Sequence, residues 1–563
     1  MLKGFEQSVV YQIYLRSFKD SNGDGFGDLK GVTEKLDYLE KLGVDFIWMT
    51  PFYVSPQNDN GYDIADYYRI DPLFGDMEDF EELVAEAGKR NIKVMLDMVF
   101  NHTSTEHEWF RKALNGDKKY QQFYILKKGK GGKEPTNWVS KFGGSAWQYR
   151  EEFEKYYLHL FDITQADLNW ENPEVREEIY KVVNFWLEKG VKGFRLDVIN
   201  LISKPDVFND DEIGDGRCFY TDGPKIHRYL KELNRNTFGK HPDVITVGEM
   251  SSTTLDECLK YSSPEEKELT MLFNFHHLKV DYKDGDKWTL MDFDFRKLKD
   301  LFIEWQEGMQ EGNGWNAVFW CNHDQPRVVS RFGDDRNYHK DSAKMLAASI
   351  HMMRGTPYIY QGEEFGMPNP GFSDVTQYRD VESINYYQIL KEKGVEEEEI
   401  LEILRRKSRD NARTPMQWDS GDYGWGTKGT PWINVGSSVD TVNAAQALED
   451  PDSVFYFYQK LISLRKEHQV IAIGDICMIL NEHPYVLAYT RTLDNQCLIV
   501  LNNFYGHDTV VELAENLSNK EGLILIGNYK NPPVLKRNIS LRPYETVAYL
   551  VKINSESKTV QLC

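Results

Sequence analysis

Nowhere does the chain hold about 18 consecutive uncharged apolar residues, the length that a membrane-crossing helix requires. Its first residues, Met1-Leu2-Lys3-Gly4-Phe5-Glu6, lack the apolar stretch of a signal peptide, so a soluble cytoplasmic protein is expected. Cysteine is scarce and dispersed: Cys218, Cys258, Cys321, Cys477, Cys497 and Cys563 show no Cys-x-x-Cys spacing. That excludes a disulfide scaffold or zinc ribbon, and the six read as reduced thiols. Positive charge is in deficit, with 67 Lys and Arg against 89 Asp and Glu and a net charge of −22. Nucleic acid and anionic membranes are therefore poor partners, and no obligate protein partner is evident. No Gly-x-Gly-x-x-Gly turn follows a strand-like run, which counts against an open doubly wound nucleotide-binding sheet.

What the chain does have is alternation. Strand-like apolar runs occur at Val9–Leu15, Phe46–Thr50, Lys93–Val99, Gly193–Val198, Val244–Gly248, Leu269–Phe275, Val318–Cys321 and Tyr358–Gln361. Helical patterns separate most of them. The clearest starts with Asn172 as N-cap and Pro173 in the first turn, puts Val175, Ile179, Val182, Val183 and Trp186 on one face, and stops at Gly190. Eight such units predict an α/β fold, a (β/α)8 barrel with right-handed crossovers. Residues 104–170 break the rhythm with a Lys- and Gly-rich stretch and many aromatics, as an inserted domain after the third strand would. From 474 to 563, short alternating runs between Asn, Asp, Gly and Pro clusters predict an antiparallel β-sandwich. The barrel then comprises 1–103 and 171–473. The run Glu396-Glu397-Glu398-Glu399 fits the solvated first turn of a helix.

Strand ends carry the chemistry. Four runs close on Asp97-Met98-Val99-Phe100-Asn101-His102, Gly193-Phe194-Arg195-Leu196-Asp197, Gly248-Glu249 and Asn322-His323-Asp324. A strand that stops on a carboxylate places it at the rim of the sheet, where a ligand reaches it, and acids from three rims can converge on one sugar ring.

Near the N-terminus, Asp20-Ser21-Asn22-Gly23-Asp24-Gly25-Phe26-Gly27-Asp28 sets oxygens at every second residue with Gly at the sixth place, like the start of an EF-hand loop. Asp20, Asn22, Asp24, the Phe26 carbonyl and Asp28 would form a structural Ca2+ cage. The twelfth place is Gly31 rather than Glu, and an Asx-rich turn without metal is the alternative. No organic cofactor is expected.

The four strand-end segments, in this order, resemble the signature segments of the α-amylase family of glycoside hydrolases, and Gln165-Ala166-Asp167-Leu168-Asn169-Trp170 resembles a further one. Within the family the likeness is to the oligo-1,6-glucosidase branch, and especially to members acting on a phosphorylated disaccharide, trehalose 6-phosphate. The resemblance implies a retaining mechanism with Asp197 as nucleophile, Glu249 as general acid/base and Asp324 as third acid. Arg195, on the same strand face, would favour the ionised nucleophile. His102 and His323 would hydrogen-bond the sugar, Tyr62 would stack on it, Asp63 would hold its hydroxyls, and Arg409, or alternatively Arg413, would reach the nonreducing end. A phosphate arriving at so acidic a protein needs a local cationic patch, for which Lys279 and Lys287, with His276 or His277, are the candidates. Ile199 resembles enzymes without an α-1,4 preference. An oligo-1,6-glucosidase or sucrose isomerase, and a non-catalytic amylase-like scaffold, remain the alternatives.

Overall fold

A computed structural model describes residues 4–553 apart from 213, 427, 428 and 519. Eight parallel strands form its centre: β1 (Val10–Ile13), β2 (Phe46–Met49), β3 (Lys93–Val99), β4 (Gly193–Asp197), β5 (Ile245–Glu249), β6 (Met271–Phe273), β7 (Ala317–Val318) and β8 (Thr356–Tyr360). Their ladder runs β6-β5-β4-β3-β2-β1-β8-β7, and a parallel bridge between Leu272 and Asn316 joins the two ends into a barrel. Each strand is covered on both faces, which is why its sequence is almost continuously apolar rather than alternating. Register sets the acids level at the rim: Asp197 lies opposite Val99, and Glu249 opposite Phe273.

All eight strands start within two residues of the expected places. The seventh stops early, because Phe319, Trp320 and Cys321 leave the ladder after Val318. Trp320 is fully buried and donates its indole N–H to Leu346 O (2.9 Å), so packing against a helix replaces pairing in the sheet. Helix Pro173–Glu188 follows the pattern closely: Asn172 accepts the Glu174 N–H as N-cap, and Val175, Ile179, Val182, Val183 and Trp186 are buried. Gly190 turns the chain at φ 92°, a backbone region that suits glycine. The four-glutamate run likewise opens helix Glu397–Lys407.

The excursion after β3 leaves and returns beside itself, since His102–Ser104 pairs antiparallel with Gln165–Asp167. Between them lie two short helices and a three-stranded antiparallel sheet built on Lys155–Leu158. The C-terminal strands are β9 (Asp475–Ile479), β10 (Val486–Leu493), β11 (Gln496–Asn503), β12 (Thr509–Glu512), β13 (Gly522–Gly527), β14 (Asn538–Leu541) and β15 (Thr546–Lys552). They form a five-stranded sheet, β9-β10-β11-β15-β13, and a two-stranded sheet, β12-β14. Period-two alternation divides β10 between two cores: Leu487 and Tyr489 join the barrel's, Val486 and Ala488 the domain's own.

Among the described residues no helix is long and apolar enough to cross a membrane. Cys218, Cys258, Cys321 and Cys497 are free thiols. Cys477 is disulfide-bonded, which corrects the expectation of a reduced thiol there, and Cys563 lies outside the described residues.

Candidate active site

Asp197 ends β4 and Glu249 ends β5, and the Arg195 guanidinium joins them. Its Nη1 donates to Asp197 Oδ1 (2.6 Å) and to Asp97 Oδ1 on β3 (2.7 Å), while its Nη2 donates to Glu249 Oε2. Strand pleating explains the link, since residues two apart share a face. Asp97 Oδ2 also accepts from the Tyr62 hydroxyl (2.9 Å) and the Trp48 indole N–H (3.2 Å). Burial raises the Asp97 carboxyl to about 6 against the pull of Arg195 and Tyr62.

The expectation that Arg195 sets the state of Asp197 meets a stronger opponent. Burial drives the Asp197 carboxyl upward, Glu249 and Asp97 add to the rise, and the arginine pulls it down. The next residue, Val198, is β-branched yet sits at φ 35°, ψ 40°, a strained left-handed conformation that turns the chain sharply after the acid. Its N–H is 3.4 Å from Glu249 Oε2.

Asp324 lies beyond β7 and is met by Arg413 (2.6 Å), Arg409 (3.4 Å) and His323 (3.2 Å). Burial alone would raise its carboxyl, but His323, Arg409 and Arg413 overcome that and hold it well below the carboxylate range. His323 stacks on Tyr62 with centroids 5.3 Å apart and an interplanar angle of 1°, and its Nδ1 meets Gln12 Nε2 from β1 at 2.8 Å. His102 Nε2 lies 3.2 Å from both Tyr62 O and Gln165 Nε2. Burial lowers these imidazoles to about 3 and about 4, so both are neutral.

One neighbouring acid is not where sequence put it. Asp63 is consumed locally, accepting the N–H groups of Asn58 (2.9 Å) and Asp59 (3.1 Å) and the Ser55 hydroxyl (2.9 Å). Asp59 instead lies at the site: it accepts from Gln165 Nε2 (3.1 Å) and lies 3.5 Å from Arg409, and burial raises it to about 7. Two acids four residues apart straddle a turn at Gly61, and nothing in their spacing says which one the turn folds onto. Arg413 is buried against Asp324, His323 O and Asp380. Arg409 lines the open cavity, braced by Asp380 (2.5 Å) and with Phe142 5.1 Å away.

That cavity, about 320 Å3, runs outward from Glu249 and Asp324 past Phe142, Arg409, Lys279 and Lys287. Lys279 stands on the turn after β6, as expected. Lys287 reaches the same wall but is already paired with Glu382 (2.7 Å). The two histidines do not join them. His277 is buried with Nε2 2.8 Å from Phe319 O, and His276 stacks on Trp305 with centroids 4.7 Å apart, so neither lines this cavity. Sequence reasoning also missed Lys141, Phe142 and Glu382, which come from the inserted domain and from helix Val381–Glu392. The insert's irregular backbone gave no period from which to place the first two.

In the loop after β1, Asp20 accepts the N–H groups of Asn22, Gly23 and Gly25, Asn22 that of Asp24, and Asp24 that of Phe26. Asp28 caps helix Leu29–Glu34 through the Gly31 N–H and accepts from Ser21. Gly23 and Gly25, both at positive φ, let the chain coil into these consecutive Asx turns. The donor set, all hard oxygens, matches Ca2+ chemistry. Among the described residues no three His, Cys, Asp or Glu side chains are gathered tightly enough to hold an ion.

A closed parallel barrel with two acids bridged by one arginine at its C-terminal rim, faced by a third acid, defines a glycoside-cleaving enzyme of the paired-carboxylate class. The chain belongs to the α-amylase family: residues 12–474 match its catalytic domain and 486–548 match the α-amylase SusG C-terminal domain. It is 57% identical over 549 residues to the trehalose-6-phosphate hydrolase of Bacillus subtilis, covering 97% of this chain and 98% of that one. It is 48% identical to the oligo-1,6-glucosidase of Bacillus cereus, covering 97% and 99%. The crystal structure of Bacillus licheniformis trehalose-6-phosphate hydrolase superposes with a TM-score of 0.94 at 56% identity, covering 98% and 100%.

Proposed function

We propose that the protein hydrolyses the α-1,1 bond of trehalose 6-phosphate with retention of configuration. Asp197 attacks the anomeric carbon of the unphosphorylated glucose while Glu249 gives its proton to the departing oxygen, releasing glucose 6-phosphate. Glu249, now a base, takes a proton from water, which opens the glucosyl-Asp197 ester and frees glucose. Arg195 counters the negative charge of both acids, and Asp324, His102 and His323 hydrogen-bond the sugar as it flattens toward the oxocarbenium ion. Arg409 and Asp59 close the inner end. The observation that carries the substrate choice is Lys279 on the wall of the cavity that leads out from Glu249, where the leaving sugar must lie.

A sugar phosphate does not cross a membrane unaided, so this reading places the enzyme in the cytoplasm. The loop Asp20–Asp28 is proposed to hold a structural Ca2+, supported by its five oxygen donors. The test of function is kcat/KM on trehalose 6-phosphate against trehalose, isomaltose and sucrose. A preference of about 100-fold or more for the phosphorylated sugar is expected, as for a charge-assisted contact made and lost. Equal or faster turnover of isomaltose means an oligo-1,6-glucosidase instead.

A further inference from the structure

The inserted domain contributes to the cavity one cation, Lys141, that forms no ion pair among the described residues. Lys141 sits on the turn Ser140–Gly144, closed by the Ser140 N–H to Gly144 O (2.9 Å) and tied to the insert by the Lys141 N–H to Leu160 O (2.9 Å). Its ammonium reaches back over the loop that follows Glu249 and donates to Ser251 Oγ at 3.4 Å. Ser251 is itself fixed by two 3.0 Å hydrogen bonds to Asn200, so the landing point is rigid. Among the described residues neither Lys141 nor Lys279 forms an ion pair, and both line the cavity beside Glu249.

The surrounding charges make this pair unusual. Lys287, the third lysine of the wall, is neutralised by Glu382. Arg217, whose field reaches both Lys141 and Lys279, is already bidentate on Asp215. Burial, with Arg217 and Lys279 adding and Asp215 and Glu249 opposing, lowers the Lys141 ammonium to about 8, and burial with Arg217 lowers Lys279 as well. Two partly desolvated, mutually repelling ammonium groups are destabilised until an anion sits between them. An anion of two charges suits them best, and the proton donor Glu249 marks the side on which the leaving sugar carries it.

We propose that Lys141 of the inserted domain and Lys279 of the barrel together grip the 6-phosphate of the leaving glucose, with Lys287 contributing little. This rests on the trehalose 6-phosphate reading above and makes phosphate selectivity a property of two domains acting as a clamp.

The test compares wild type with Lys141→Met, Lys141→Arg, Lys279→Met and Lys287→Met on trehalose 6-phosphate and on p-nitrophenyl α-glucoside, and adds inorganic phosphate as a competitor. Lys141→Met and Lys279→Met should each lower the ratio of kcat/KM values, phosphorylated over unphosphorylated, by about 10–100-fold, mainly through KM. Lys141→Arg should recover part of that loss, and Lys287→Met should change the ratio by only about threefold. Inhibition by phosphate should weaken in the first two variants. If wild type shows no preference for trehalose 6-phosphate over trehalose, the proposed function falls. If wild type prefers it but Lys141→Met keeps the ratio within about threefold, the clamp alone is overturned. Should Lys141→Met not fold, Lys141→Arg and Lys279→Met decide: an unchanged ratio and undiminished phosphate inhibition in both refute the clamp.

Discussion

The two ends of the cavity are built on opposite electrostatic plans. At the inner end each ion has partners: Arg195 holds Asp97, Asp197 and Glu249, and Asp324 is held by Arg413, Arg409 and His323. At the outer end Lys141 and Lys279 line the same space, and among the described residues neither forms an ion pair. The inner network fixes geometry before substrate arrives, which is what a transition state requires. The outer pair is incomplete until substrate completes it, which is what selectivity requires. Relatives that act on unphosphorylated sugars can therefore keep the first plan and differ in the second.

Breaking the inner network should have the largest effect. Asp197→Asn should lower kcat by about 10^4-fold or more on every substrate, phosphorylated or not, measured against wild type in a steady-state assay. Arg195→Ala should cost about 10^2–10^3-fold in kcat while trehalose 6-phosphate and p-nitrophenyl α-glucoside suffer alike. A loss confined to the phosphorylated sugar would mean that the two ends are not separable. A smaller change should follow from Glu382→Gln, which frees Lys287: KM for trehalose 6-phosphate should fall by roughly threefold, and the gain should fade at high salt.

The smallest effect concerns stability rather than turnover. Glu363 and Glu364 follow β8 and are buried; Glu363 accepts from Tyr458 (2.7 Å), Glu364 from Tyr11 (2.8 Å) and Tyr38 (2.7 Å), and among the described residues neither Oε2 has a hydrogen-bond partner. Burial raises them to about 8 and about 7 despite those phenols. Both carboxyls therefore hold protons in the folded protein that the unfolded chain releases near pH 4.5. Stability is greatest below that value and falls as pH rises toward 8. Glu363→Gln should flatten the fall in melting temperature between pH 5 and 8, by about 3 °C.

Those parts of the site that sit on strands were readable, because a buried parallel strand is a continuous apolar run and its last residue is its rim. Asp197 and Glu249 followed directly from that. Arg409 over Arg413 followed from the family likeness, and the cavity lining agrees with the choice. What depended on where a turn closes was not readable: Asp63 and Asp59 exchange places because three donors fold onto Asp63. His276 and His277 were read as cations beside a lysine. Packing against Trp305 and Phe319 turned them away from the cavity, and a one-dimensional pattern holds no record of that. Lys141 lay in the least periodic stretch of the chain.

The first strand of the barrel pairs with the last: Val10 lies opposite Tyr358, and Gln12 reaches across to His323. On a ribosome adding about 5–20 residues per second, one edge of β1 waits roughly 20 to 70 s for its partner to be made. For that interval the nascent chain carries an open sheet edge and an unfinished catalytic rim. It is then most exposed to aggregation, and no truncated product ending before β8 can complete the ring.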